Sequence, residues 1–374
     1  MADDIGGNVQ ATNEAIASTY RAGVIGTGFM GRVHTRAIRA AGGQVTAVSG
    51  SSPEKARAFA AEIGEAVAYD DAAALFAAPD VTVVHICTPN HLHEQLAKAA
   101  VAAGKHVVCE KPLSVDADSA TAMAEAAADA GLVATVPFVN RFHPLMREAR
   151  QIIADGTLGR VTLAHGSYLQ DWLLQPGDDN WRVKAELGGP LRAFGDIGSH
   201  WCDLLEFVTG DRIRRVSAQL STVIPVRTEQ VDTEDIAILQ FATTGGAVGT
   251  TVISQVSAGR KNRMLLEVSG TEGTVSFDQE QPEVLWLGKR DRSSLLVRDP
   301  DVLGSEAARL SRVPAGHAQG YQDCFNAFVA DTAAAIVDKR PDGLPDFADG
   351  ARAARIAAAV LTSARTSSWV EVDE

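Results

Sequence analysis

The sequence is short of cysteines, of basic residues relative to acidic ones, and of long apolar runs, and each shortage closes off a class of protein. Four cysteines, Cys87, Cys109, Cys202 and Cys324, stand singly in 374 residues without a C-x-x-C pair or metal-ligand spacing. That pattern points to free, mostly buried thiols in a reducing cytosol rather than to disulfides or zinc. Lysine and arginine together number 34 against 47 aspartates and glutamates, a net charge of −13. Without a basic surface to release phosphate counterions, nucleic acid is not an expected partner. No stretch reaches the roughly 18 to 20 uninterrupted apolar residues that span a bilayer, so no membrane association is expected. The first nineteen residues hold Asp3, Asp4 and Glu14 but no Lys or Arg and no apolar core. They read as a flexible tail and not as a signal or transit peptide.

What is present is a soluble, globular composition, 46% hydrophobic and 22% charged. At this length one compact core is exceeded and two domains are the expectation. The organising stretch is YRAGVIGTGFMG, residues 20–31: an apolar run, then Gly26, Gly28 and Gly31 in the spacing G-x-G-x-x-G, opening into a helical pattern over 32–41. If the run is a strand, the first glycine permits the tight turn, the second a close approach to a pyrophosphate, and the third close helix–strand packing. A dinucleotide would then lie at a helix N-terminus, where free N–H groups and the macrodipole favour anionic oxygens. Strand-like runs at 22–25, 45–49, 81–88, 106–109 and 132–138 alternate with helical segments whose ends are legible. Ser52-Pro53 forms an N-cap followed by proline, and Gly64, Gly104 and Gly131 can stop their helices. The pattern predicts a doubly wound parallel Rossmann sheet over residues 20–142. Over 143–374, a helical stretch at 145–155 leads to a strand-like run at 161–169, and from 214 on strand-like runs at 215–224, 235–241, 247–255, 264–269, 274–277 and 284–287 follow one another without intervening helices. They predict an α+β substrate and oligomerisation domain built on a large open antiparallel sheet, with helices at 198–209, 321–338 and 347–363 covering one face.

Several residues stand where chemistry is done. The second strand ends VSGSS, so Gly50, Ser51 and Ser52 occupy the place where an acidic residue holds the ribose 2′-OH of NAD or an Arg holds the phosphate of NADP. Both cofactors remain open. Thr88-Pro89-Asn90 follows the most apolar strand at a carboxyl edge, the binding edge of open α/β sheets, although a plain turn accounts for Pro-Asn as well. AGKHVVCEKPL, residues 103–113, brings Glu110 and Lys111 to the same edge. In GDIGSHWCDLLEF, residues 195–207, Asp196 and His200 are four apart and share a helical face if a helix begins near Asp196. An N-capping Asp and a core His would look the same. With Lys111 they make an acid–base set: His as the base near neutral pH, a Lys ammonium for a developing alkoxide, and Asp to orient the His.

The glycine motif, the Glu110-Lys111-Pro112 block after Ala-Gly-Lys-His, and the block Gly195 to His200 with Asp203 together resemble the Gfo/Idh/MocA oxidoreductases, in the right order from residue 20 to about 370. The resemblance implies an NAD(P)-dependent dehydrogenase, cytoplasmic and homo-oligomeric as a dimer or tetramer, with the antiparallel sheet at the oligomer interface and no metal. It implies that Lys111, Asp196 and His200 are catalytic. It places Gly26, Gly28, Phe29, Met30, Gly31, Ser51, Thr88, Asn90, His93, Glu110 and Lys111 at the NAD or NADP cofactor. The stretch 168–172, YLQDW, and Pro314-Ala315-Gly316-His317 with Gly320-Tyr321 are similar to the branch acting on pyranoses, inositols and anhydrosugars. Asn140, Arg141, Gln170, Trp172, Trp181 and His317 are the substrate candidates, although Arg141 could instead be a structural ion-pair donor. Two other readings fit the same motifs: a glycosidase with transient NAD redox within one turnover, and a dinucleotide sensor without catalysis.

Overall fold

A computed structural model describes residues 19–64, 66–337 and 340–373. The expected tail at 1–18 and Asp338 at the end of one expected helix lie outside the described residues. The chain forms two compact units. The first takes residues up to Ser114, Asp118–Val139 and Tyr321–Ala351; the second takes Val115–Ala117, Asn140–Gly320 and Arg352–Glu374.

In the first unit six parallel strands, β1 (Arg21–Ile25), β2 (Gln44–Ser49), β3 (Val67–Tyr69), β4 (Val83–Ile86), β5 (His106–Cys109) and β6 (Ala134–Thr135), lie in the order β3-β2-β1-β4-β5-β6. The order reverses at β1, between β2 and β4, and that switch point is where such sheets open a crevice at their carboxyl edge. β4 is wholly buried, as a continuous apolar run covered on both faces must be. The helices end as their sequences dictate: the Ser52 hydroxyl accepts the Lys55 N–H with Pro53 at the first helical position, and Gly64 follows at φ +70°.

The second unit holds a nine-stranded sheet. Its strands are β7 (Val161–Leu169), β8 (Ile213–Ser221), β9 (Ile236–Thr243), β10 (Val248–Ser254), β11 (Arg263–Gly270), β12 (Thr274–Asp278), β13 (Val284–Gly288), β14 (Ser293–Val297) and β15 (Val370–Glu371). They lie in the order β14-β13-β12-β11-β7-β10-β9-β8-β15. The sheet is mixed rather than wholly antiparallel, because β7 runs parallel to β10 while every other pair is antiparallel. The long path from β7 through helix Ser199–Thr209 to β8 allows that pairing; a hairpin could not. Helix Ser199–Thr209 packs on β7 and β11 and buries Trp201, whose indole N–H donates to the Leu265 carbonyl at 2.9 Å.

One expected placement is corrected. Helix Tyr321–Val337 belongs to the first unit, where it packs on helix Phe29–Ala40, and does not cover the large sheet. It is apolar around much of its circumference, burying Cys324, Phe325, Phe328 and Val329, so no single stripe in its sequence specifies which surface it meets.

Candidate active site

The first unit supplies a nucleotide cradle. Gly26 ends β1 at φ +111°, and a Cβ there would lie 2.4 Å from the Cys87 carbonyl oxygen. At Gly31 a Cβ would lie 2.2 Å from the Gly26 oxygen, so the helix can approach the strand this closely only without a side chain. At Gly28 an added Cβ meets nothing within 4 Å, which leaves the backbone open on the side from which a pyrophosphate would come. Helix Phe29–Ala40 starts there without a side-chain cap and without an acidic residue in its first turn, an anion-binding end. Phe29 is 66% exposed at this mouth, and Met30 receives the Tyr321 hydroxyl at 3.8 Å. These features fit a dinucleotide.

At the end of β2, Ser51 is exposed and accepts a hydrogen bond from Lys55 Nζ at 3.0 Å. Lys55 is a cation that motif reading overlooks, since it lies one helical turn past the expected position. A signal did exist in the i, i+4 spacing from Ser51. Thr88 keeps a buried hydroxyl with no hydrogen-bond partner among the described residues, and Asn90 opens a short 3₁₀ turn beside it.

His93 differs from expectation. It is fully buried, with Nδ1 2.8 Å from the Pro112 carbonyl and Nε2 3.0 Å from the Thr88 carbonyl. The ring therefore braces the two loops that carry the cradle, and it has no surface left to offer a cofactor. Burial lowers its pKa, against the opposing pull of the two carbonyls and Glu110. Glu110, at the end of β5, accepts a hydrogen bond from His34 at 2.9 Å, and its Oε2 accepts the Lys111 backbone N–H at 3.3 Å. Burial would raise the Glu110 pKa, but the His34 hydrogen bond and the electrostatic influence of His34, Lys111 and His93 outweigh it and hold the group below its ordinary value.

In the second unit Asp196 sits on a π-helical turn, Phe194–Gly198, that runs into helix Ser199–Thr209, and His200 lies on that helix's first turn, buried. Such widened turns recur at functional sites because they re-aim a side chain. Asp196 Oδ2 accepts from Gln255 Nε2 at 2.8 Å, and Oδ1 pairs with Arg182 Nε at 3.4 Å. Gln255 also reaches Gln170 Oε1 at 3.5 Å, which accepts the Trp172 indole N–H at 2.8 Å, while Gln170 donates to Asn262 at 2.8 Å. Asp196, Gln170 and Trp172 are thus joined in one polar network at the ends of β7 and β10. Gln255 and Asn262 belong to no motif and were not foreseen; the one sign was a glutamine directly after an apolar strand. The Tyr168 hydroxyl is pushed up to about 12 by burial, opposed by hydrogen bonds from Gln279, Asn262 and Asn140 and reinforced by the nearby Asp196 charge.

Trp172 is 37% exposed beside this network. Trp181 opens the turn Trp181–Val183, with the Arg182 guanidinium 4.4 Å from its ring centroid. His317 is exposed, on a loop whose carbonyls at Val313, Pro314 and His317 are gripped by the buried Arg298 at 2.8, 3.2 and 2.6 Å. Arg141 is buried in a two-pronged ion pair with Asp203, Nε to Oδ2 at 2.9 Å and Nη2 to Oδ1, as its structural alternative requires. Asn140, next to it, has a buried Nδ2 near the Tyr168 hydroxyl.

A Rossmann unit with this cradle, together in one chain with a mixed-sheet unit carrying a carboxylate and an imidazole on one helical stretch, defines a nicotinamide-dependent oxidoreductase. Residues 20–138 match the oxidoreductase family with an NAD-binding Rossmann fold, and residues 146–276 match the GFO/IDH/MocA C-terminal domain. The chain belongs to the Gfo/Idh/MocA oxidoreductase family. It is 32% identical, over 94% of its length and 98% of the relative's, to levoglucosan dehydrogenase of Pseudarthrobacter phenanthrenivorans. It is similar to the structure of levoglucosan dehydrogenase in complex with NADH and levoglucosan, with a TM-score of 0.88 and 32% identity covering 94% of this chain and 99% of the other. It is also similar to an inositol dehydrogenase homologue complexed with NAD+ from Azotobacter vinelandii, with a TM-score of 0.87 and 28% identity covering 95% and 97%.

Proposed function

We propose that this protein oxidises a secondary hydroxyl of a cyclic sugar, an anhydrosugar or pyranose before an inositol, with hydride transfer to a nicotinamide dinucleotide. The observation that carries the reading is the network Asp196–Gln255–Gln170–Trp172, which sets a carboxylate, two amides and an exposed indole together. That combination suits a polyhydroxylated ring with an apolar C–H face. His200 takes the hydroxyl proton, the Lys111 ammonium stabilises the developing alkoxide, and Asp196 holds substrate and base in register. The bound dinucleotide supplies the hydride acceptor. Trp181 and His317 line the sugar site, and the second domain's open sheet face joins copies into a homo-oligomer in a reducing cytoplasm, where the four free thiols are at home. Among the described residues no helix is long and apolar enough to cross a membrane.

Absorbance of reduced nicotinamide, followed for a panel of anhydrosugars, pyranoses and inositols with NAD and NADP, tests the reading. Sustained release of reduced cofactor with one ring class is the expected outcome. Turnover of sugar without free reduced cofactor would indicate the glycosidase, and cofactor binding without turnover of any of them the sensor.

A further inference from the structure

On the face of the parallel sheet covered by helix Phe29–Ala40, four titratable side chains from four separate segments form one hydrogen-bonded chain. Tyr20 Oη lies 2.9 Å from His85 Nε2, His85 Nδ1 lies 2.8 Å from His34 Nδ1, and His34 Nε2 lies 2.9 Å from Glu110 Oε1. Tyr20, His34 and His85 have no exposure to solvent and Glu110 has 6%. An apolar side chain at each position would pack with less cost than an unmatched polar one, so a run of four needs an account.

Counting protons gives the chain a direction. A carboxylate only accepts, so His34 Nε2 carries a hydrogen. Burial, then the neighbouring His34 ring, keeps His85 neutral, with a single N–H. If that hydrogen is on Nδ1, it donates to a neutral His34, and His85 Nε2 accepts from Tyr20. All three protons then sit in bonds and all point toward Glu110. If it is on Nε2, His34 must carry two protons and the Tyr20 hydroxyl proton loses its place in the chain. The first arrangement uses every donor and acceptor.

We propose that Tyr20, His85 and His34 are positioning residues: their one-way chain fixes the Glu110 carboxylate beside Lys111, whose backbone N–H it accepts, and so sets where the Lys111 ammonium meets the substrate oxygen. The proposal rests on the role given above to Lys111. The groups facing Glu110 are His34 from helix Phe29–Ala40, His93 from helix His93–Ala102, Lys111 next in the chain, and the thiols of Cys87 and Cys109. Helix Tyr321–Val337 contributes the uncharged Phe325 ring, edge-on to His34 at 5.2 Å.

Two measurements test it. Nitrogen-15 NMR of the free protein should show His34 as the Nε2–H tautomer and His85 as the Nδ1–H tautomer. The pH profile of kcat/KM should respond to the chain in a graded way. His34→Leu should move the acid limb upward by about one pH unit or more, because a buried carboxylate that loses a donor favours its neutral form. His34→Gln, which keeps an N–H for Glu110, should restore most of the shift, and Tyr20→Phe should give a smaller shift in the same direction. A His85 Nε2–H tautomer, or an acid limb in His34→Leu that coincides with the parent's, would overturn the proposal. The tautomers and the isosteric Tyr20→Phe variant decide the matter even where the Leu variant does not fold. If instead Lys111→Ala keeps full activity, the reading of Lys111 fails, and the tautomer result is unaffected by that.

Discussion

Cofactor choice is set within a few ångströms at the end of β2. Ser51 offers no carboxylate to repel a 2′-phosphate, and Lys55 Nζ, 3.0 Å from its hydroxyl, provides an exposed cation that can favour one. We therefore expect NAD and NADP to be discriminated by less than about 100-fold, under roughly 2.7 kcal/mol. Lys55→Ala should weaken NADP by about fivefold and leave NAD unchanged, the scale of an exposed ion pair. A carboxylate is better introduced at Ser51 than at Gly50, because a Cβ at Gly50 would come within 3.0 Å of Thr27 and 3.3 Å of the Ala56 nitrogen. Ser51→Asp should shift preference toward NAD by about tenfold or more through like-charge repulsion. Kd values for the two dinucleotides, measured by titration, check all three statements. The sequence marked the place but not the cation, because a lysine four residues on is read as an ordinary helix surface until the helix itself is built.

At the scale of the elements, the outer face of the large sheet carries exposed apolar pairs. Leu163 and Val248 are register partners across β7 and β10, Ile238 and Val252 across β9 and β10, and Trp286 and Leu295 across β13 and β14. All six side chains are exposed in the single chain. The pairs form two patches, on β9–β10–β7 and on β13–β14, separated across the register by Ser276, Glu267 and His165, and we propose the first as the interface between copies. Ile238→Glu combined with Val252→Glu should lower the sedimentation coefficient of an oligomer to that of a smaller species without unfolding the chain. An unchanged sedimentation profile would place the interface elsewhere. Most of the strands were legible from their apolar alternation. β3, β14 and β15 were not, since the first is three residues long, the second, SSLLV, is an exposed edge strand behind a charged turn, and the last is two residues long. Nor was the parallel β7–β10 pair, because alternation reports which face is buried and not the direction of a neighbour.

For the whole molecule, the order of motifs along the chain was enough to expect two units and to single out Lys111, Asp196 and His200 as candidates. It did not separate residues that line a site from those that brace one. Arg141 and His93 have the same residue types and spacing in either role, and the Asp203 ion pair and the two carbonyls around the His93 ring are visible only in the fold. The return of helix Tyr321–Val337 to the first unit is likewise a matter of long-range packing. The central claim is that this chain stabilises an alkoxide, and Lys111 tests it most directly. Calorimetric dinucleotide titration and single-turnover hydride transfer should be measured side by side for Lys111→Ala and Lys111→Met. A group that acts only as the alkoxide forms lowers the rate by more than it weakens binding, so both variants should lose on the order of 10²-fold or more in rate while dinucleotide Kd moves by only a few-fold. Equal losses in rate and in binding, or a Met variant as active as the parent, would contradict the account.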